Sequence, residues 1–121
     1  MRYEEVSPIE REAAHDLLAS KDPFVVCSVL VRLAYHDPDW AWVQARCLEF
    51  ARDPRPEVRG CAALCLGHLA RIHRVLDLDT VLPVLRALLD DPTGSFVAGI
   101  AEDALDDIGV FLGKRKGDEV P

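Results

Sequence analysis

The chain has 121 residues, half of them hydrophobic, and a formal net charge of -7. That is enough apolar material for one core, and the expectation is a single domain over 1–121 with its core at about 8–112. No apolar run reaches the roughly 18 residues of a bilayer span, the start Met1-Arg2-Tyr3-Glu4-Glu5 is no export signal, and the acidic balance argues against nucleic acid as the main ligand. A cytoplasmic protein with no membrane role is the resulting expectation.

Asp-Pro recurs at Asp22-Pro23, Asp37-Pro38, Asp53-Pro54 and Asp91-Pro92. Proline cannot continue a helix and pushes the residue before it out of the helical region, so each pair marks a break. The segments between the breaks have helical periodicity and almost no strand-like alternation.

The first helix is expected over 8–19, with Ser7 as N-cap, Pro8 in the first position and Glu10 completing a capping box. The second is expected over 24–36, with Val26, Val29, Leu30 and Leu33 on one side. The third runs from Asp39 to Arg52 and has an apolar stripe of Trp40, Val43, Cys47, Phe50 and Ala51. The fourth, Pro56 to His73, carries Val58, Ala62, Cys65, Leu66, Leu69 and Ile72, and is apolar over a wide arc, as suits a helix flanked on both sides.

The fifth helix is expected to begin near Thr80, with Val81, Leu85, Leu88 and Leu89 inward and Pro83 in its first turn. The sixth runs from Ser95 to Leu112, with Val97, Ile100, Ala101, Leu105 and Ile108 inward. The tail 113–121 lacks apolar content and is expected to fray. Paired up, the six helices make three repeats. Sliding the middle repeat onto the last superposes Val58 on Val97, Ala62 on Ala101, Leu66 on Leu105 and Leu69 on Ile108. The first repeat places Val25, Val29 and Leu33 at the corresponding positions. End repeats depart from the pattern because one face meets water instead of a neighbour.

Asp53, Pro54, Val58, Arg59, Ala62, Leu66 and Gly67 form an Asp-Pro turn followed by Val-Arg, then Ala, then Leu-Gly. This stretch resembles the second half of a HEAT repeat. The resemblance extends over about 8–112 and is strongest in the middle repeat; the last repeat has Ala98 where the arginine would stand. It implies an all-α fold, an α-solenoid of three stacked helical hairpins, and a surface for holding another molecule.

The residues give little support for catalysis. Cys61, Cys65 and His68 project from one side of the fourth helix, but a closed zinc site needs about four ligands, and small buried cysteines pack well between helices. The four cysteines are expected to be reduced, and no cofactor or metal is expected. No serine lies in a nucleophile elbow and no glycine loop could cradle phosphate. The expected protein is not an enzyme.

By the resemblance, the second helix of each hairpin lines a groove, so its polar residues become candidates: Arg32 and Tyr35 on the second helix, Arg59 and His68 on the fourth, and Glu102, Asp103, Asp106 and Asp107 on the sixth. Like charges four apart repel by a few tenths of a kcal/mol, so this carboxylate group suits a cationic partner, or simply a solvated helix face. The resemblance implies that Arg59 rather pairs with a loop aspartate of an adjacent repeat, Asp91 or Asp90. Trp42, off the inward stripe, is a candidate anchor for a partner or a cover over a helix seam.

The reading is a protein-binding module, specifically a small inhibitor or immunity protein for a basic toxin such as a nuclease. Two alternatives stand beside it: an accessory subunit or scaffold of a larger complex (including lyase-like chromophore handling), and nucleic-acid binding through Arg55, Arg59, Arg71 and Arg74. A monomer is the simplest state, with self-association through Trp42 as the alternative.

Overall fold

The structure, a computed structural model, describes residues 6–93 and 95–113. The expected frayed tail lies outside these residues, apart from Gly113. The described residues form six helices and no strand: α1 (Arg11–Leu18), α2 (Pro23–His36), α3 (Trp40–Phe50), α4 (Pro56–His73), α5 (Leu78–Leu88) and α6 (Ser95–Leu112). Consecutive helices pair as hairpins, and the hairpins stack through α2, α4 and α6, with α4 packed against α2, α3 and α6. This is an all-α stack of three helical hairpins, as the sequence implied.

The break residues build the helix starts. The Asp22 carboxylate accepts the Phe24 N–H at 2.9 Å, and Asp39 accepts the Trp42 N–H at 3.1 Å. These are N-cap bonds to otherwise orphaned donors. Pro23 and Pro56 occupy first-turn positions, where a missing N–H costs nothing. α4 ends at Arg74, in the left-handed region at φ 60°, with its N–H bonded to Ala70 O.

The superposition of the middle and last repeats is realised in the core. Val58, Ala62, Leu66 and Leu69, and their counterparts Val97, Ala101, Leu105 and Ile108, are all 0% exposed. In the first repeat Val29 and Leu33 are buried at the corresponding positions, but Val25 is only half-buried and its neighbour Val26 is buried instead. Ile72, Leu89 and Ile100, expected inward, are also half-buried.

Three expectations about the helices need correction. α1 begins at Arg11, with Glu10 at the N-cap and no side-chain cap, not at Pro8 with Ser7 as cap. The reason lies in α2: Arg32 donates from Nε to Ser7 O at 3.0 Å and from Nη2 to Pro8 O at 2.9 Å, while His36 Nε2 meets Val6 O. Those carbonyls are committed outside α1, so 6–10 precede it as a strap along α2. In α3, Trp40 and Phe50 are half-buried rather than inward, and the helix ends at Phe50 rather than Arg52.

The third correction concerns α5. It starts at Leu78 rather than Thr80, which places Pro83 inside the helix, beyond the first turn. The buried Gln44 of α3 accepts the Asp77 N–H at 2.8 Å and fixes where α5 begins. Pro83 removes one helical hydrogen bond, but it lies on the exposed side, where water can satisfy the freed carbonyl.

Candidate partner-binding groove

α4 has a face open to solvent between α2 and α6. Glu57, Leu64 and Arg71, each seven residues apart, are exposed along its ridge. Cys61 and His68 flank the ridge on the α2 side. Cys61 Sγ donates to Cys27 O at 3.5 Å, and the His68 ring meets Tyr35 edge-on at 5.1 Å. Gly60 and Gly67 flank it on the α6 side, against Phe96 and Ile100 for Gly60, and Ala104 and Asp107 for Gly67. The surface therefore runs across α2, α4 and α6.

Its two ends differ in chemistry. Near the helix N-termini it is apolar: Phe24 is 74%, Leu64 41% and Phe96 46% exposed. Phe24, Leu64 and Cys27 also line a cavity of about 530 Å³ beside the 6–7 strap. Toward the C-termini it is polar. Arg71 Nη2 lies 2.9 Å from His68 Nδ1 and 3.3 Å from the Tyr35 hydroxyl, with its guanidinium 5.8 Å from the Tyr35 ring centroid. Burial, then the neighbouring Arg71 charge, hold the His68 pKa below its ordinary value.

The α6 carboxylates do not share one role. Asp107 is half-buried against Gly67, and its charge reaches His68. Asp103, one turn earlier, is exposed on the same side. Glu102 and Asp106 are also exposed, but helical spacing turns them to the side of α6 away from Asp103 and Asp107. The structure thus brings Tyr35, His68 and Asp107 together with Arg71, and places Asp103 beside them.

The other candidates sit elsewhere. Arg32 is tied to the strap carbonyls. Arg59 makes a two-pronged pair with Asp91, Nε–Oδ2 2.8 Å and Nη2–Oδ1 3.0 Å, and donates from Nη1 to Asp53 O at 2.9 Å. Trp42 lies on the far side, under the Arg11 guanidinium at 4.2 Å and near that of Arg46 at 5.4 Å. Arg11 reaches on to Asp37 at 3.0 Å, so Trp42 covers the seam between α1 and α3.

The cysteines are free thiols. Contact with the Cys61 thiol, then burial, push the Cys27 thiol up; contact with Cys47 and Cys61, then burial, do the same for Cys65. Both stay protonated and pack as small apolar groups. Among the described residues no three His, Cys, Asp or Glu converge as metal ligands, and no helix is long and apolar enough to cross a membrane.

Phe24, Leu64 and Phe96 were not among the sequence candidates, because on the groove-lining helices only polar residues were considered. The available signal was their place off the inward stripes: Leu64, for instance, falls between Ala62 and Cys65 without joining their side of α4.

The HEAT repeat family profile matches residues 43–73, the hairpin α3–α4. A chain in the crystal structure of a CDI complex from Cupriavidus taiwanensis is similar at 36% identity and a TM-score of 0.77, over 92% of this chain and 96% of that one. No curated protein matches significantly. One hairpin carries the HEAT signature and the same stack recurs around it, so the chain belongs to the HEAT-like helical-repeat family.

Proposed function

We propose that this protein is the inhibitor half of a contact-dependent inhibition pair: a non-enzymatic immunity protein that binds a basic toxin and blocks it. The observation that carries the proposal is the 36% identity, over nearly the full length of both chains, to a member of a CDI complex. The net charge of -7 supports a cationic partner, because an acidic surface speeds encounter with a basic one. The groove supports a binding role: it offers exposed apolar side chains and carboxylates on a rigid helical layer. The protein acts in the cytoplasm of the cell it protects.

The test has three steps. The chain is used as bait in lysate of its own source at low salt, and the captured protein is identified. That protein is then expressed in a host lacking this chain, alone and together with it. Growth arrest by the captured protein, relieved by co-expression, is the expected result. A captured protein that does not arrest growth, or an arrest that co-expression leaves unchanged, would sink the proposal.

A further inference from the structure

Large apolar side chains seldom stand exposed in a group on a small monomer, and a contiguous group marks a place where another molecule docks. Phe24, Leu64 and Phe96 form such a group. Phe24 and Leu64 line the same cavity. Phe96 lies over Gly60, where a Cβ would meet its Cε2 at 3.5 Å, and Gly60 is one turn before Leu64. The three side chains make an apolar row across α2, α4 and α6.

Beside this row stand exposed anions, while the nearby cations are held by partners: Arg32 by the strap carbonyls of Ser7 and Pro8, and Arg71 by His68 and the Tyr35 hydroxyl. Asp103 follows Phe96 along the same side of α6, with Asp107 one turn further, and Glu57 is exposed on the α4 ridge one turn before Gly60. Arg55 and Arg59, the basic residues nearest Glu57 in sequence, are both engaged: Arg55 with Asp53 at 2.8 Å and Ser20 O at 3.1 Å, Arg59 with Asp91 at 2.8 Å. An apolar centre with an acidic margin fits a protein surface of the inverse kind.

We infer that the partner docks on this row with an apolar ridge flanked by lysines or arginines, the row Phe24–Leu64–Phe96 holding it and Asp103 and Asp107 speeding its approach. The inference rests on the immunity reading and adds to it a site and a division of roles. Desolvated apolar anchors govern how slowly a complex dissociates, whereas charges at the margin govern how fast it forms. The two groups of residues therefore separate in kinetics.

The probe is the toxin that wild type neutralises in the co-expression test, purified and immobilised. Binding rates are measured for wild type, Leu64→Glu, Phe24→Ser, Phe96→Ser, and the double variant Asp103→Asn with Asp107→Asn. Each variant is first checked for an unchanged helical spectrum and melting temperature; Phe24→Ser, altering the most exposed of the three, is the safest for folding. The apolar variants are expected to dissociate on the order of tenfold faster or more. The double variant is expected to associate about fivefold more slowly at low salt, a difference lost near 1 M salt, where the screening length is about 3 Å.

Neutralisation by wild type with unchanged dissociation rates for the apolar variants would overturn the site and leave the immunity reading standing. Sedimentation of the protein alone supplies a second check. A dimer that Leu64→Glu dissolves would assign the row to a second copy of this chain and overturn the inference. If no growth-arresting partner is relieved, the reading falls and the partner assigned here falls with it.

Discussion

Arg59 on α4 and Asp91 in the turn before α6 face each other through two parallel hydrogen bonds, and their side chains are only 12% and 4% exposed. The same guanidinium reaches the Asp53 and Pro54 carbonyls at 2.9 and 3.0 Å and the Thr93 hydroxyl at 3.0 Å. One side chain thus ties the turn of the middle repeat to the turn of the last. Asp91→Ala leaves a largely buried cation without its partner, and is expected to cost on the order of 3 kcal/mol, read as a lower urea midpoint. Arg59→Lys loses the planar fork and is expected to recover little of the pairing.

The pairs of Arg11 with Asp37, Arg55 with Asp53 and Arg59 with Asp91 hold all three carboxyls below the usual carboxylate range. A depressed carboxyl contributes stability that is complete above the unfolded aspartate value of about 3.9 and is lost as pH falls through the folded value. These carboxyls are therefore expected to leave the urea midpoint unchanged down to about pH 5 and to lower it steeply below about 4, while the depressed His68 lowers it as pH falls below the unfolded histidine value of about 6.5. In Asp91→Asn the slope on the acid side is expected to be shallower. An equal slope in the two proteins would contradict the assignment.

Gly60 and Gly67 both face α6 but are expected to tolerate alanine differently. At Gly60 a Cβ meets the end of the Ile100 side chain at 3.2 Å, which can turn aside. The gain in helix propensity, about 1 kcal/mol, offsets the contact, so Gly60→Ala is expected to be neutral or slightly stabilising. At Gly67 the Cβ meets the Ala104 Cα at 3.3 Å, part of a backbone that cannot move alone. Gly67→Ala is expected to destabilise by about 1–3 kcal/mol, as overpacking does. Thermal melts of the two variants side by side make the comparison.

Gln44 is a buried polar side chain with a specific task, accepting the Asp77 N–H. Gln44→Leu keeps the bulk but strands that N–H, at an expected cost of about 1–3 kcal/mol. Gln44→Glu retains an acceptor oxygen but, at neutral pH, adds a buried charge, so its deficit is expected to shrink as pH falls and the carboxyl protonates. Hydrogen exchange at the start of α5 reads the local effect.

Trp40 and Trp42 are both half-buried, so a neutral quencher is expected to reach the two indoles to similar degrees. Removing the guanidinium stacked on Trp42 by Arg11→Ala is expected to raise quenching markedly. If Trp42 instead anchored a partner, binding would protect it whether or not Arg11 were present.

Much of the frame was legible because repetition reduces ambiguity. Val58, Ala62, Leu66 and Leu69 align with Val97, Ala101, Leu105 and Ile108 at helical spacing, and only a shared inward face explains that pattern in two segments. The pairing of Arg59 with Asp91 was legible from the HEAT-like motif. The start of α1 was not: a good local cap at Ser7 is outweighed by Arg32 and His36, which lie about 25–30 residues away in sequence and take the carbonyls before Arg11. The position of Pro83 within α5 depended likewise on Gln44. The apolar row was hidden for a different reason. α4 is apolar over so wide an arc that sequence alone could not separate Leu64, facing water, from Leu66, facing the core.

The polar ties that join the repeats lie along the turns and beneath the strap, whereas the open face of α2, α4 and α6 carries side chains on which few folding contacts depend. Exchanging Phe24, Leu64, Phe96 or Asp103 should alter recognition at little cost to the stack. If this face docks the proposed partner, a scaffold divided in this way can follow a changing opponent: relatives can diverge at these positions to match new partners while the same three hairpins persist underneath.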